Sequence, residues 1–160
     1  MKAIVFASAS VMAAAGVVNA DLFKFKFELD GSQEVPPKVT PGSGLGLVEY
    51  DSDTNVLKWN ISYQDLLAPT VAAHFHGAAP PGQNAPPVID FMNFGGLESP
   101  IVGQTSISEA HEADLLAGLW YVNIHTSLHP SGEIRGQVVP GPGALVTIAL
   151  ATLGLARRSR

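Results

Sequence analysis

Two histidines separated by a single residue, His74-Phe75-His76, are the strongest chemical feature of this 160-residue sequence. The chain has only five histidines, and the Gly- and Pro-rich segment 77–87 follows this pair directly. In a β-strand, residues i and i+2 project from the same face, so both imidazoles would lie side by side while Phe75 points the other way. Two imidazoles on one face, joined by a third from a neighbouring strand, form a nitrogen donor set that zinc or copper accepts.

His125 is the third donor that the sequence offers. In segment 118–126, His125 and Asn123 alternate with apolar residues and therefore share one strand face. Segment 132–139 repeats the alternation, and the short turn between the two segments indicates that they are neighbours. We predict a metal site for Cu or Zn formed by His74, His76 and His125. The predicted polar face around it also carries Asn123, His129, Glu133 and Arg135.

A structural role explains the same residues without a metal. A histidine on a polar strand face is commonly held by hydrogen bonds, with Asn123 or Glu133 as the expected partner here, and Glu133 with Arg135 could form an ion pair worth a few tenths to about 1 kcal/mol. Serines lie near His125, but no Gly-x-Ser-x-Gly turn accompanies them. We therefore predict no catalytic residues, and both the structural and the metal-binding alternatives stay open.

The segments that must position these residues alternate between apolar and polar side chains with a period of two, which is typical of half-buried β-strands. Val71, Ala73 and Phe75, for example, are predicted to face the core. One stretch, 108–118, has early acidic residues and a final glycine, which favour a turn or two of helix. With Pro/Gly-rich connections, this pattern predicts an all-β, antiparallel Greek-key β-sandwich. The predicted strands are 22–29, 44–50, 56–63, 71–76, 101–107, 118–126 and 132–139.

Both ends of the chain differ in composition from this body. Residues 1–20 combine a lysine, an apolar stretch and small residues before Asp21, which predicts a secretory signal helix that is removed. Residues 21–139 are predicted to be one domain, containing five basic and fourteen acidic residues for a net charge of −9. A nucleic-acid partner is excluded by that charge. The sequence has no cysteine, so disulfides and metal–thiolate sites are excluded as well.

The last segment, 140–160, has a Pro/Gly hinge, an apolar helix over 143–156 and three arginines in its last four residues. It resembles the PEP-CTERM family of bacterial sorting signals, although Val139-Pro-Gly-Pro142 stands where that family has Pro-Glu-Pro. The resemblance implies transient membrane anchoring through 143–156 and processing by an exosortase-like enzyme, after signal peptidase has acted at the other end. A tail anchor that stays in the membrane is the alternative.

Four motifs of the body resemble the CHRD domain family in order along the chain: 29–37 (LDGSQEVPP), 72–77 (AAHFHG), 115–126 (LLAGLWYVNIHT) and 129–137 (HPSGEIRGQ). The resemblance implies an immunoglobulin-like or superoxide-dismutase-like sandwich and no settled activity. The His-x-His element is similar to that of copper/zinc superoxide dismutases. However, the following loop lacks the further histidines of that pattern and has only Asp90 at its end, so dismutase activity is not expected.

Two functional hypotheses follow. The first is an exported, cell-envelope-associated module with a non-enzymatic structural or binding role, and the PEP-CTERM resemblance implies a matrix polysaccharide or a surface protein as its partner. The second is a periplasmic or surface metal-binding protein that uses His74, His76 and His125.

Overall fold

The structure, a computed structural model, describes residues 21–139. The predicted signal helix in 1–20 and the predicted hydrophobic helix in 140–160 lie outside the described residues. Within them are eight strands, one α-helix and two short 3₁₀ helices, Gly31–Gln33 and Phe91–Phe94. The strands and helix are β1 (Leu22–Asp30), β2 (Ser43–Asp51), β3 (Val56–Gln64), β4 (Thr70–His76), β5 (Pro87–Asp90), β6 (Ile101–Ser106), α1 (Glu109–Leu116), β7 (Trp120–Thr126) and β8 (Ile134–Val138).

The strands form one continuous antiparallel sheet in the order β5-β4-β7-β8-β1-β2-β3-β6. Its two halves meet where β1 pairs with β8, and that ladder has a single register pair, Asp30 with Arg135. The all-β, antiparallel prediction is confirmed. The eight strands belong to one curled sheet, so the Greek-key, immunoglobulin-like arrangement stays a prediction.

The curl brings strands from the two halves into contact across a common core. Trp59 of β3 packs against Phe75 of β4 with ring centroids 5.5 Å apart, and against Phe91 at 5.3 Å. Phe75 also lies 5.7 Å from Trp120 of β7. All four aromatic side chains are at most 3% exposed, so the apolar face of each half is buried against the other.

No helix within residues 21–139 is long and apolar enough to cross a membrane.

Two elements differ from the sequence-based expectations. Strand β5 falls at the end of the Pro-rich segment and was not predicted, because four residues that include Pro87 and Asp90 are too few to show a period. Val71 was predicted to face the core but is 49% exposed, since the register of β4 shifts between Thr70 and Ala72. The predicted helical turn is confirmed as α1, and its cap is the Ser108 side chain, which accepts a hydrogen bond from the His111 amide.

The polar face is covered by loops, whereas we had expected it to meet solvent. We call this face the polar layer, and its members are His74, His76, Tyr121, Asn123, His125, Glu133, Arg135 and Gln137. Glu133 and Arg135 are 0% and 1% exposed. Two Pro-rich loops fold over them: the first loop, 31–42, and the second loop, 77–86. Buried polar groups must find hydrogen-bond partners, and these two loops supply many of them.

Candidate metal centre

The three predicted histidine ligands converge at one place in the polar layer. His74 and His76 come from β4, and His125 comes from β7, where it is the register partner of Ala72. One ring nitrogen from each histidine lies within 4.8 Å of the others. His76 and His125 are 8% and 9% exposed, while His74 is partly exposed and leaves one side of the cluster open to solvent. The alternation that suggested this site therefore brings all three imidazoles together.

Backbone carbonyls fix the protonation of two of the rings. His76 Nδ1 lies 2.9 Å from the Ala85 carbonyl oxygen, and His125 Nδ1 lies 3.0 Å from that of Pro130. A carbonyl only accepts, so each Nδ1 carries the hydrogen and each Nε2 keeps its lone pair. This is the second-sphere arrangement that orients histidine ligands around metal ions in proteins.

The lone pair of His125 Nε2 points towards His74. His74 Nδ1–H donates to His125 Nε2 at 3.1 Å. His76 Nε2 is buried and has no hydrogen-bond partner. A buried acceptor without a partner is costly, so this nitrogen is available to a ligand such as a metal ion.

Burial also keeps the three rings neutral. Together with the nearby imidazoles and Arg135, it lowers the pKa of His76 to about 4, although the hydrogen bond to Ala85 acts in the opposite direction. Burial likewise lowers the pKa values of His74 and His125. A metal ion needs neutral imidazole, so at neutral pH none of the three rings has to lose its charge before the ion binds. His74 only has to change tautomer, so that its hydrogen moves from Nδ1 to Nε2.

The nitrogen spacing is close to that of a metal site. With Zn–N bonds of about 2.0–2.1 Å, tetrahedral ligands lie about 3.3 Å apart. The 3.1 Å separation between His74 and His125 already meets this value. The largest separation, 4.8 Å, exceeds it by about 1.5 Å, so a side chain has to rotate when the ion binds. Three nitrogens with one side open correspond to a site with a free coordination position.

The hydrogen-bond partners predicted for these histidines are not the ones that the structure shows. Neither Asn123 nor Glu133 bonds to an imidazole. Glu133 accepts from the Thr40 hydroxyl at 2.6 Å, the Thr126 hydroxyl at 2.7 Å and the Leu67 amide at 2.7 Å. Its carboxylate ties the first loop to the polar layer.

The predicted ion pair between Glu133 and Arg135 is also absent, because Arg135 bonds to Asn84 and Gln137 instead. His129 stays outside the three-histidine cluster. It lies in the turn after β7, where its carbonyl accepts from the amides of Thr126 and Gly132 and its ring Nε2 is buried without a partner.

Two residues that the sequence did not single out complete the surroundings of the site. The Tyr121 ring stacks on His76 with centroids 4.8 Å apart and planes 6° apart. Its hydroxyl donates to the carbonyl of Ala85 and accepts from the Ala85 amide, so it holds the backbone group that orients His76. Glu34, only 4% exposed, accepts from Asn123 Nδ2 at 3.4 Å. The strand alternation could have identified Tyr121, which lies two residues before Asn123. It could not have identified Asn123 as the partner of Glu34, which lies in a loop.

Gly132 fits tightly against this region, which gives a first prediction. Its φ is +120°, and a Cβ there would lie 2.5 Å from Glu34 Oε1 and closer still to the Asn123 carboxamide. We expect Gly132→Ala to lower the free energy of unfolding by about 1–3 kcal/mol through backbone strain. It should also weaken metal binding, because Pro130, two residues earlier, orients His125.

Gly96→Ala is the matched control, since Gly96 has a φ of +89° and nothing within 4 Å of an added Cβ. Urea unfolding and metal titration of both variants test the prediction. Equal metal affinity in the two variants would show that the turn does not support the site.

Glu34 gives a second prediction, on pH. Burial raises the pKa of Glu34 from 4.5 to about 7, despite the opposing charge of Arg135. The folded protein therefore holds a proton that the unfolded chain releases above pH 4.5, and this stabilisation is lost as the pH rises through 7. Glu34→Gln never ionises. The unfolding free energy of this variant minus that of the wild type should therefore increase by on the order of 1–3 kcal/mol from pH 5 to pH 8.

Urea unfolding of the wild type and Glu34→Gln at both pH values measures this gain. The histidines titrate in both proteins, so their contribution cancels in the difference. A difference that stays constant between pH 5 and pH 8 would show that Glu34 is already ionised in the folded protein at pH 5.

Comparison with known proteins gives one match. The family model of the CHRD domain matches residues 25–138, a span that includes all three histidines and both Pro-rich loops. Neither the curated proteins nor the solved structures contain a match to this chain. Because the matched span covers well over half of the sequence, this chain belongs to the CHRD domain family.

Proposed function

We propose that this protein is an exported domain that binds one copper or zinc ion through His74, His76 and His125. The observation that carries the proposal is the convergence of three imidazole nitrogens within 4.8 Å of one another, together with a buried His76 Nε2 that has no hydrogen-bond partner. The CHRD domain is an extracellular type of β domain of uncertain role, so the family leaves this function open.

The donor set favours transition metals over Ca²⁺ or Mg²⁺. All three ligands are imidazoles, whereas those hard cations prefer oxygen. For a given nitrogen site, Cu²⁺ binds more tightly than Zn²⁺. The net charge of −9 in residues 21–139 also favours a cationic ligand.

The test is elemental analysis of the untagged protein after exposure to Cu²⁺ or Zn²⁺ and removal of excess metal. We expect close to one ion per chain in the wild type and none in a His74→Ala/His76→Ala double variant. His111→Ala is the control, since His111 lies on α1 against Trp120, away from the cluster. A wild type without stoichiometric metal would leave the histidines with a structural role, holding the second loop and the 127–132 turn through Ala85 and Pro130.

We further infer that the domain acts at the cell envelope or cell surface without catalysing a reaction. The support is in the sequence: a secretory signal over 1–20 and a PEP-CTERM-like segment over 140–160. Signal peptidase and an exosortase-like enzyme would process the two ends, and a matrix polysaccharide or a surface protein is the proposed neighbour. Mass spectrometry of the protein recovered from its native envelope tests both cleavages.

A further inference from the structure

A groove of about 320 Å³ opens between the two Pro-rich loops, on the side of Tyr121 away from the histidines. Its walls include Glu34, Val35 and Pro37 of the first loop and Pro81 of the second loop, and its floor includes Arg135 and Gln137 of β8. Proline-rich walls lose little conformational entropy when a ligand binds. The groove is therefore a preorganised cleft with apolar sides and a charged floor.

The Arg135 guanidinium lies in this floor and forms no direct ion pair. It is 1% exposed, and its carbon atom Cζ sits 3.4 Å from the centre of the Tyr121 ring. Its hydrogen bonds go to neutral oxygens, 3.2 Å to Asn84 Oδ1 and 3.4 Å to Gln137 Oε1. Within residues 21–139 the one side-chain ion pair is Lys24–Glu49, on the surface. A buried charge that forms no direct ion pair is costly for the fold.

Glu34 lines the same groove and its charge acts on Arg135 from a distance, but the two side chains form no direct ion pair. Glu34 bonds to Asn123 instead, and because burial raises its pKa to about 7, it is only partly ionised at neutral pH. Lys38 of the first loop is close enough to act on the Glu34 carboxyl as a second positive charge.

We propose that this groove binds a small organic carboxylate, with the carboxylate on Arg135 and the body of the ligand between Val35, Pro37 and Pro81. A guanidinium has five N–H donors, and two of them are engaged, which leaves donors for a planar carboxylate. The site is separate from the metal centre, because the Tyr121 ring lies between His76 and Arg135. It therefore stands or falls independently of metal binding.

The test is an NMR titration of the full protein with cyclohexanecarboxylate and, in parallel, with cyclohexylmethanol, which has a similar shape but no charge. A third arm uses galacturonate, to distinguish a sugar acid from an apolar one. We expect saturable shifts of the Gly82 and Gln137 amides with at least one carboxylate and none with the alcohol. Equal shifts with the alcohol, or no saturable shift with either carboxylate, would overturn the proposal.

Two variants locate the ligand. Arg135→Gln should weaken carboxylate binding at least about 10-fold, as expected for the loss of a charged hydrogen-bond partner. Since Arg135 is buried and this variant could fail to fold, Ser32→Tyr provides a second test: Ser32 is exposed, lines the groove, and a larger side chain there would fill it. Lys58→Gln removes a cation on β3, away from the groove, and should leave binding unchanged. Unchanged binding in Ser32→Tyr would place the ligand elsewhere and contradict the assignment.

Discussion

Replacing His125 by alanine is expected to lower the affinity for Cu²⁺ or Zn²⁺ at least about 100-fold, because changes to groups that merely support a ligand already cost 10–100-fold. His125 supplies one of three nitrogens, and its Nε2 is 3.1 Å from His74 Nδ1. The two remaining histidines are on one strand and cannot surround an ion from both sides. Competition titration against a chelator of known affinity measures the change.

The matched control for that experiment is His111→Ala, which removes a histidine outside the cluster and should keep wild-type affinity. Both variants should retain the wild-type circular dichroism spectrum in the far ultraviolet. If His125→Ala and His111→Ala bound metal equally well, the ion would be held by other groups, such as surface carboxylates.

Phe75→Ala should lower the free energy of unfolding by about 3–5 kcal/mol, as large-to-small changes of buried aromatic residues do. Phe75 is completely buried, and its ring lies 5.5 Å from Trp59 and 4.9 Å from Phe91. It packs β4 against β3 across the core. Urea unfolding followed by tryptophan fluorescence measures the loss.

Val71→Ala on the same strand is the control, and because Val71 is half exposed, its effect should stay within about 0.5 kcal/mol. Phe75→Ala should still bind metal while it remains folded, since Phe75 points away from His74 and His76. If Phe75→Ala lost its metal but kept its stability, core packing and metal binding would not be divided between the two faces of β4.

The sequence was sufficient to predict most strands, because burying one face of a ribbon imposes a period of two that is visible in the residues themselves. The same logic placed Phe75, Trp120 and Ile124 in the core and put His74, His76 and His125 on the opposite face, as the structure has them. It worked where a strand was long enough to show several repeats.

The alternation could not predict that the two Pro-rich loops cover the polar layer. Glu34 bonds to Asn123 across 89 residues, and Thr40 bonds to Glu133 across 93. Such contacts depend on how loops close over a sheet, and no local pattern encodes their partners. The alternation correctly separated polar from apolar faces, but it could not show that the polar face would itself be buried.

The most direct test of the central claim is electron paramagnetic resonance of the full protein loaded with one equivalent of Cu²⁺, with pulsed detection of the coupled nitrogens. Three neutral imidazoles on one face predict a single Cu²⁺ species coupled to three histidine rings, reduced to two rings in His125→Ala. A spectrum with no imidazole coupling, or one that His125→Ala leaves unchanged, would contradict the assignment of this cluster as a metal centre.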